Sequence, residues 1–84
     1  MTRYAFLPAK ADEHGLTARE QVVFSLLIEG LSGKEIAQRL GISRATVRSH
    51  RASLLRKLSA KNQTQLCLRA IELGILVRMD KDDL

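Results

Sequence analysis

Gly33-Lys34-Glu35-Ile36-Ala37-Gln38-Arg39-Leu40-Gly41-Ile42-Ser43 holds a short helix, a sharp turn and the cap of a second helix. Ile36 and Leu40 recur at helical spacing and form one apolar face. Two helices that cross steeply need a small residue where they approach closest, and Ala37 supplies it. Gly41 can take the left-handed conformation that ends a helix abruptly. Ile42 and the following Val47 then fill the angle between the helices, and Ser43 is a strong N-cap. Apolar, Ala, apolar, Gly, apolar, cap, apolar, in this register, is the helix-turn-helix pattern.

The second helix reads Ser43-Arg44-Ala45-Thr46-Val47-Arg48-Ser49-His50-Arg51-Ala52-Ser53-Leu54-Leu55-Arg56-Lys57-Leu58, with no Gly or Pro inside it. Val47, Leu54 and Leu58 share a face, with Leu55 beside them, and that face is expected to be buried. Ala45, Ser49, Ala52, Ser53 and Arg56 point the other way, flanked by Arg44 and Arg48. This outer face is small, polar and cationic, and carries no carboxylate. Such a helix fits a DNA major groove about 12 Å wide and meets phosphates on either side. The residues therefore point to a DNA recognition helix.

Composition agrees. The chain has 84 residues, enough for one domain with a modest core, and a formal charge of +5. With no Trp, one Tyr and two Phe, the core is expected to be aliphatic and strands are not favoured. No acidic residue lies between Glu35 and Glu72, whereas Arg39, Arg44, Arg48, Arg51, Arg56, Lys57, Lys61 and Arg69 all do. Cations concentrated on and around the reading helix suggest an anionic partner. One Cys excludes an intrachain disulfide framework and fits a reducing cytoplasm. Neither a membrane-spanning run nor a signal-peptide core is evident, so a cytoplasmic protein, on the bacterial nucleoid when bound, is expected, with no membrane partner.

Residues 1–15 read as an N-terminal arm or linker, either docked through Tyr4, Phe6 and Leu7 or left loose. Thr17-Ala18-Arg19-Glu20 is a capping box that opens a helix burying Val22, Val23, Leu26 and Leu27 and stopping at Gly30. Ser32-Gly33-Lys34-Glu35 is a second box, which puts Lys34 beside free amides where a phosphate would meet both. Asn62, with Gln65 as box partner, caps a further helix that ends at Gly74. The expected architecture is all-α, a four-helix domain over residues 16–77, followed by an acidic tail at 78–84.

Leu16-Thr17-Ala18-Arg19-Glu20, Glu29-Gly30-Leu31-Ser32-Gly33-Lys34-Glu35-Ile36-Ala37, Ile42-Ser43, Thr46-Val47-Arg48-Ser49-His50, Leu55-Arg56-Lys57-Leu58 and Glu72-Leu73-Gly74-Ile75-Leu76 together resemble the LuxR/FixJ/GerE-type DNA-binding domain. The resemblance implies a four-helix helix-turn-helix domain that binds promoter DNA as a dimer and regulates bacterial transcription. The family's base-reading positions correspond to Arg48, Ser49 and Ala52, with Arg44 added from its place on the helix flank. Its phosphate contacts correspond to Lys34, Thr46 and Lys57, and more loosely to Arg51 and Arg56. The chain departs from many members at Arg51, often aliphatic, and at Ala52, often long and polar. Both a stand-alone regulator of the GerE type and the DNA-binding module of a longer protein fit these residues.

The helix after Asn62 has two apolar faces. Leu66, Ala70 and Leu73 are expected to pack on the reading helix. Thr64, Leu68, Ile71 and Ile75, with Cys67 on the border, are left for a second copy, and the expected partners are double-stranded DNA, a homodimer mate and RNA polymerase. The alternative is that Tyr4, Phe6 and Leu7 cover this face. His14, His50 and Cys67 have no metal-ligand spacing, and the Asp residues cluster near the termini with no nucleophile beside them, so no metal, cofactor or catalytic residue is expected. Two other functions share the motif: a sigma-factor-like promoter-recognition domain, and an interaction module that sequesters another regulator. The helix beyond the reading helix argues against the first, and the basic face against the second.

Overall fold

A computed structural model of the chain describes residues 3–79. Its elements are β1 (Arg3–Phe6), α1 (Pro8–Glu13), α2 (Ala18–Ile28), α3 (Gly33–Leu40), α4 (Arg44–Lys57), α5 (Gln63–Glu72) and β2 (Leu76–Met79). The mostly helical fold and its helix-turn-helix are those expected, with α2 to α5 at the anticipated places. Two features are additional. Residues 8–13 form a helix, and β1 pairs antiparallel with β2 in the register Arg3↔Met79, Tyr4↔Arg78, Ala5↔Val77, Phe6↔Leu76. Arg78 and Met79, grouped by sequence with the acidic tail, thus belong to a strand, and the rest of that tail lies outside the described residues.

The helix starts are set by local chemistry. Thr17 Oγ1 accepts from the Glu20 amide at 3.1 Å while Glu20 Oε1 accepts from the Thr17 amide at 2.8 Å. Ser32 and Glu35 repeat the arrangement at 3.2 and 2.9 Å, and Ser43 caps α4 through the Thr46 amide at 3.0 Å. Each reciprocal pair satisfies two amides that the helix itself leaves unbonded. Asn62 caps α5 as expected, but Gln65 does not complete the box; its side-chain oxygen takes the Lys61 amide at 2.8 Å.

The helix ends share one device. Leu16, Leu31, Ile42, Ala60 and Ile75 each donate their backbone N–H to a carbonyl five residues back, at 2.8–3.2 Å. The residue before each has positive φ, which is glycine in four cases and Ser59, at φ 55°, in the fifth. This closure reverses the chain and tucks an apolar side chain inward. It explains why Ile75, expected on the dimer face, is fully buried. Helix α5 stops at Glu72 and Gly74 turns the backbone at φ 77°, so Ile75 no longer follows the helical wheel.

The core is formed by Val23, Phe24, Ile36, Leu54, Leu58, Leu66 and Ile75, all fully buried, each contributing about 1.5–3 kcal/mol relative to exposure. On α2 the buried set is Glu20, Val23, Phe24 and Leu27, one face at helical spacing, which leaves Val22 exposed at 41% against expectation. Phe24 also anchors the ribbon. Its ring meets Phe6 edge-on at 5.8 Å between centroids, and the Leu7 amide bonds the Ile75 carbonyl at 2.8 Å. The N-terminal segment is thereby part of the domain.

Candidate nucleic-acid interface

Helix α4 packs between α2 and α3 through Val47 and Leu54, with Leu58 buried just beyond its end. The residues turned outward are those the sequence nominates. Arg44, Thr46, Arg48, Ser49, Arg51, Ala52 and Arg56 are all exposed, and Ser53 and His50 are half-buried. Among the described residues, Arg44, Arg48 and Arg51 make no hydrogen bond or ion pair, so their guanidinium groups are free to bind. Arg56 donates only to Ser53 Oγ, at 3.3 Å. Thr46 Oγ1 lies 2.8 Å from Ser43 Oγ at the start of α4, and Lys34 is exposed in the first turn of α3. The Glu35 carboxyl beside Lys34 is held below its ordinary range by hydrogen bonds from the Ser32 amide and hydroxyl.

Lys57 behaves differently from the other nominated cations. Its ammonium donates to Glu20 Oε1 at 2.7 Å and to the Gly15 carbonyl at 2.9 Å. Glu20 is 4% exposed, and its carboxyl serves Thr17 and Lys57 at once. Burial pushes that carboxyl up, but hydrogen bonds from Lys57 and Thr17 and the Lys57 charge together hold it below its ordinary value. Lys57, expected as a phosphate contact, already has partners in this structure: it ties the end of α4 to the start of α2. Glu20 is the residue whose role the sequence reading left incomplete. Its place in the capping box was legible, but its second partner lies 37 residues away. Gln21 extends the tie, bonding Asp12 Oδ1 at 2.6 Å and the Leu16 carbonyl at 3.0 Å.

On α5, Thr64, Leu68 and Ile71 are exposed and Cys67 is a half-buried free thiol, its pKa raised by burial. Leu66 and Ala70 are buried on the opposite side, as expected. Among the described residues, His, Cys, Asp and Glu nowhere gather in a group able to hold a metal ion, and no helix is long and apolar enough to cross a membrane.

The GerE family model, described as bacterial regulatory proteins of the luxR family, matches residues 14–70. The chain belongs to the luxR family. It is 41% identical over 61 residues to the spore germination protein GerE of Bacillus subtilis (strain 168), covering 73% of this chain and 82% of that protein. It is also 41% identical over 64 residues to the transcriptional regulatory protein UhpA of Escherichia coli (strain K12), covering 76% of this chain but only 33% of UhpA. The chain thus spans most of one relative and about a third of the other. A solved structure of the transcription factor GerE superposes with a TM-score of 0.65 at 39% identity, covering 70% of this chain and 88% of that one. The response regulator ChrA of a heme-sensing two-component system superposes at 0.68 and 34% identity, covering 73% of this chain and 30% of that one. The luxR-family chain is a sequence-specific DNA-binding transcription regulator with a helix-turn-helix. Its relatives are transcription regulators rather than enzymes.

Proposed function

We propose that α4 enters the major groove and reads bases with Arg48, Ser49, Ala52 and Arg44, while Lys34, Thr46, Arg51 and Arg56 grip the phosphates. The observation that carries this reading is the outer face of α4, which combines three unpartnered arginines with small side chains and no carboxylate. A guanidinium matches the paired acceptors of guanine, so Arg48 is the base-specific contact. Ala52 can offer a thymine methyl only an apolar touch. Ser43 and Thr46 sit at the positive end of the α4 dipole, where a phosphate is favoured. Two copies pairing through Thr64, Cys67, Leu68 and Ile71 would present two reading helices to successive major grooves, and the target would be an inverted repeat about one helical turn between half-sites.

The test is a gel-shift titration on a duplex selected by the wild-type chain from a random pool, with scrambled DNA as control. Arg48→Ala should relax one position of the selected site and spare scrambled-DNA binding. Equal weakening on both would make Arg48 a phosphate contact only. Ile71→Glu should abolish cooperative filling of the full site and retain half-site binding.

A further inference from the structure

Ala52 occupies the middle of the reading face. Four-residue steps along α4 place Arg44, Arg48, Ala52 and Arg56 in one row, so Ala52 has an arginine about one turn to either side. Its side chain is a single methyl group, exposed between those two long cationic neighbours. We propose that Ala52 makes the chain a reader of the pyrimidine 5-methyl group, so that thymine and 5-methylcytosine are accepted alike at one position of its site. Cytosine and uracil, which lack the methyl, are disfavoured there. This rests on the major-groove reading of α4 given above, and it specifies what that helix recognises beside the guanine of Arg48.

Three observations carry this. The 5-methyl group is the apolar feature among the base edges of the major groove, and an alanine side chain can make only an apolar contact with it. Arg56 does not cover that contact. Its guanidinium donates to Ser53 Oγ at 3.3 Å, which draws it toward the flank of α4 away from Ala52. Lastly, no side chain around Ala52 separates the two methylated bases. Thymine sets a carbonyl acceptor beside its methyl, whereas 5-methylcytosine sets an amino donor there. Ala52 can bond to neither, Arg48 is engaged by guanine, and the exposed Ser49 hydroxyl donates or accepts equally well. The methyl is therefore the feature read, whichever base carries it. Its place follows from Arg48: four residues of helix rise about 6 Å, and base pairs stack about 3.4 Å apart, so the methyl lies one or two base pairs from the guanine. A cytosine at that position makes a weakened site, and methylation of its C5 restores it.

The test alters the DNA and leaves the protein intact. In gel-shift titrations on the selected duplex, each thymine is replaced in turn by deoxyuridine, which lacks only the methyl. One thymine, one or two base pairs from the position that Arg48→Ala relaxes, should bind about fourfold more weakly as uracil, the worth of one buried carbon group. A 5-methylcytosine–guanine pair there should bind within about twofold of the thymine pair, and an unmethylated cytosine–guanine pair about fourfold worse. Ala52→Gly should bind the thymine and uracil duplexes equally. Both affinities belong to one protein, so the helix stability lost with glycine cancels in their ratio. Three results overturn the methyl reading: no thymine at that distance that responds to uracil, a uracil penalty that persists in Ala52→Gly, or 5-methylcytosine binding no better than cytosine. The major-groove reading of α4 stands through any of these as long as Arg48→Ala relaxes one position, and falls only if it relaxes none.

Discussion

The two ends of α4 carry similar charges and use them in opposite ways. At the first two turns, Arg44, Arg48 and Arg51 extend from a helix with no carboxylate in reach and meet nothing in the free chain. At the last turn, Lys57 closes onto Glu20 and Gly15, and its charge works inside the domain. A row of cations in a sequence is thus not a row of equal contacts. What separates them is whether a distant element brings an acceptor within about 3 Å, the reach of a hydrogen bond.

The sharpest way to break this contrast is at Glu20. Glu20→Ala removes both the capping box and the Lys57 partner, and should cost about 2–3 kcal/mol of stability, less than a fully buried pair because Lys57 is partly solvated. Urea unfolding measures it. A loss under about half a kcal/mol would mean that the Lys57–Glu20 pair adds little to the fold. Arg48→Ala should behave conversely, costing about 1–3 kcal/mol on the selected site with an unchanged urea midpoint.

Acidity gives a third separation. The Glu20 carboxyl is held below its ordinary value of 4.5, so its contribution to stability is complete above that value and disappears as pH falls through the lower folded-state value. Wild type and Glu20→Gln should therefore differ at neutral pH and converge in acid. A gap that persists in acid would mean that the carboxylate charge is not what stabilises.

Salt titration refines the comparison further. Arg51→Gln should reduce the slope of log affinity against log salt by about one, whereas Lys57→Gln should leave it nearly unchanged. The smallest effect expected is at the end of the helix. Ser59 adopts φ 55°, where the other four closures have glycine, and Ser59→Gly should stabilise by about 0.5–1 kcal/mol without altering DNA affinity. Calorimetric melting would detect it.

How far the sequence could be read depends on the distance over which each feature is decided. Thr17 with Glu20, Ser32 with Glu35, and Gly41 with Ile42 act within one turn of helix, and the helix-turn-helix followed from them. The outer face of α4 was legible for the same reason, since periodicity alone orients Arg48 and Ser49. The ribbon was not, because Phe6 finds Leu76 only after the whole domain has brought the ends together. Ile75 was misplaced by carrying a helical wheel past Gly74. Val22 and Phe24 were exchanged because a run of neighbouring apolar residues does not reveal which one faces inward. Lys57 needed knowledge of where α2 lies beside α4.

The pairing of Arg3 with Met79 leaves the first and last described residues side by side, so residues 3–79 nearly close into a ring. A short peptide could join residues 3 and 79, and new ends could be opened between the exposed Lys61 and Asn62, past the Ala60 closure of α4, giving a permuted chain with every helix intact. The same closure means that a protein fused before residue 3 and one fused after residue 79 would leave the domain at a common point. Cargo could then be attached at either end from one location on the surface.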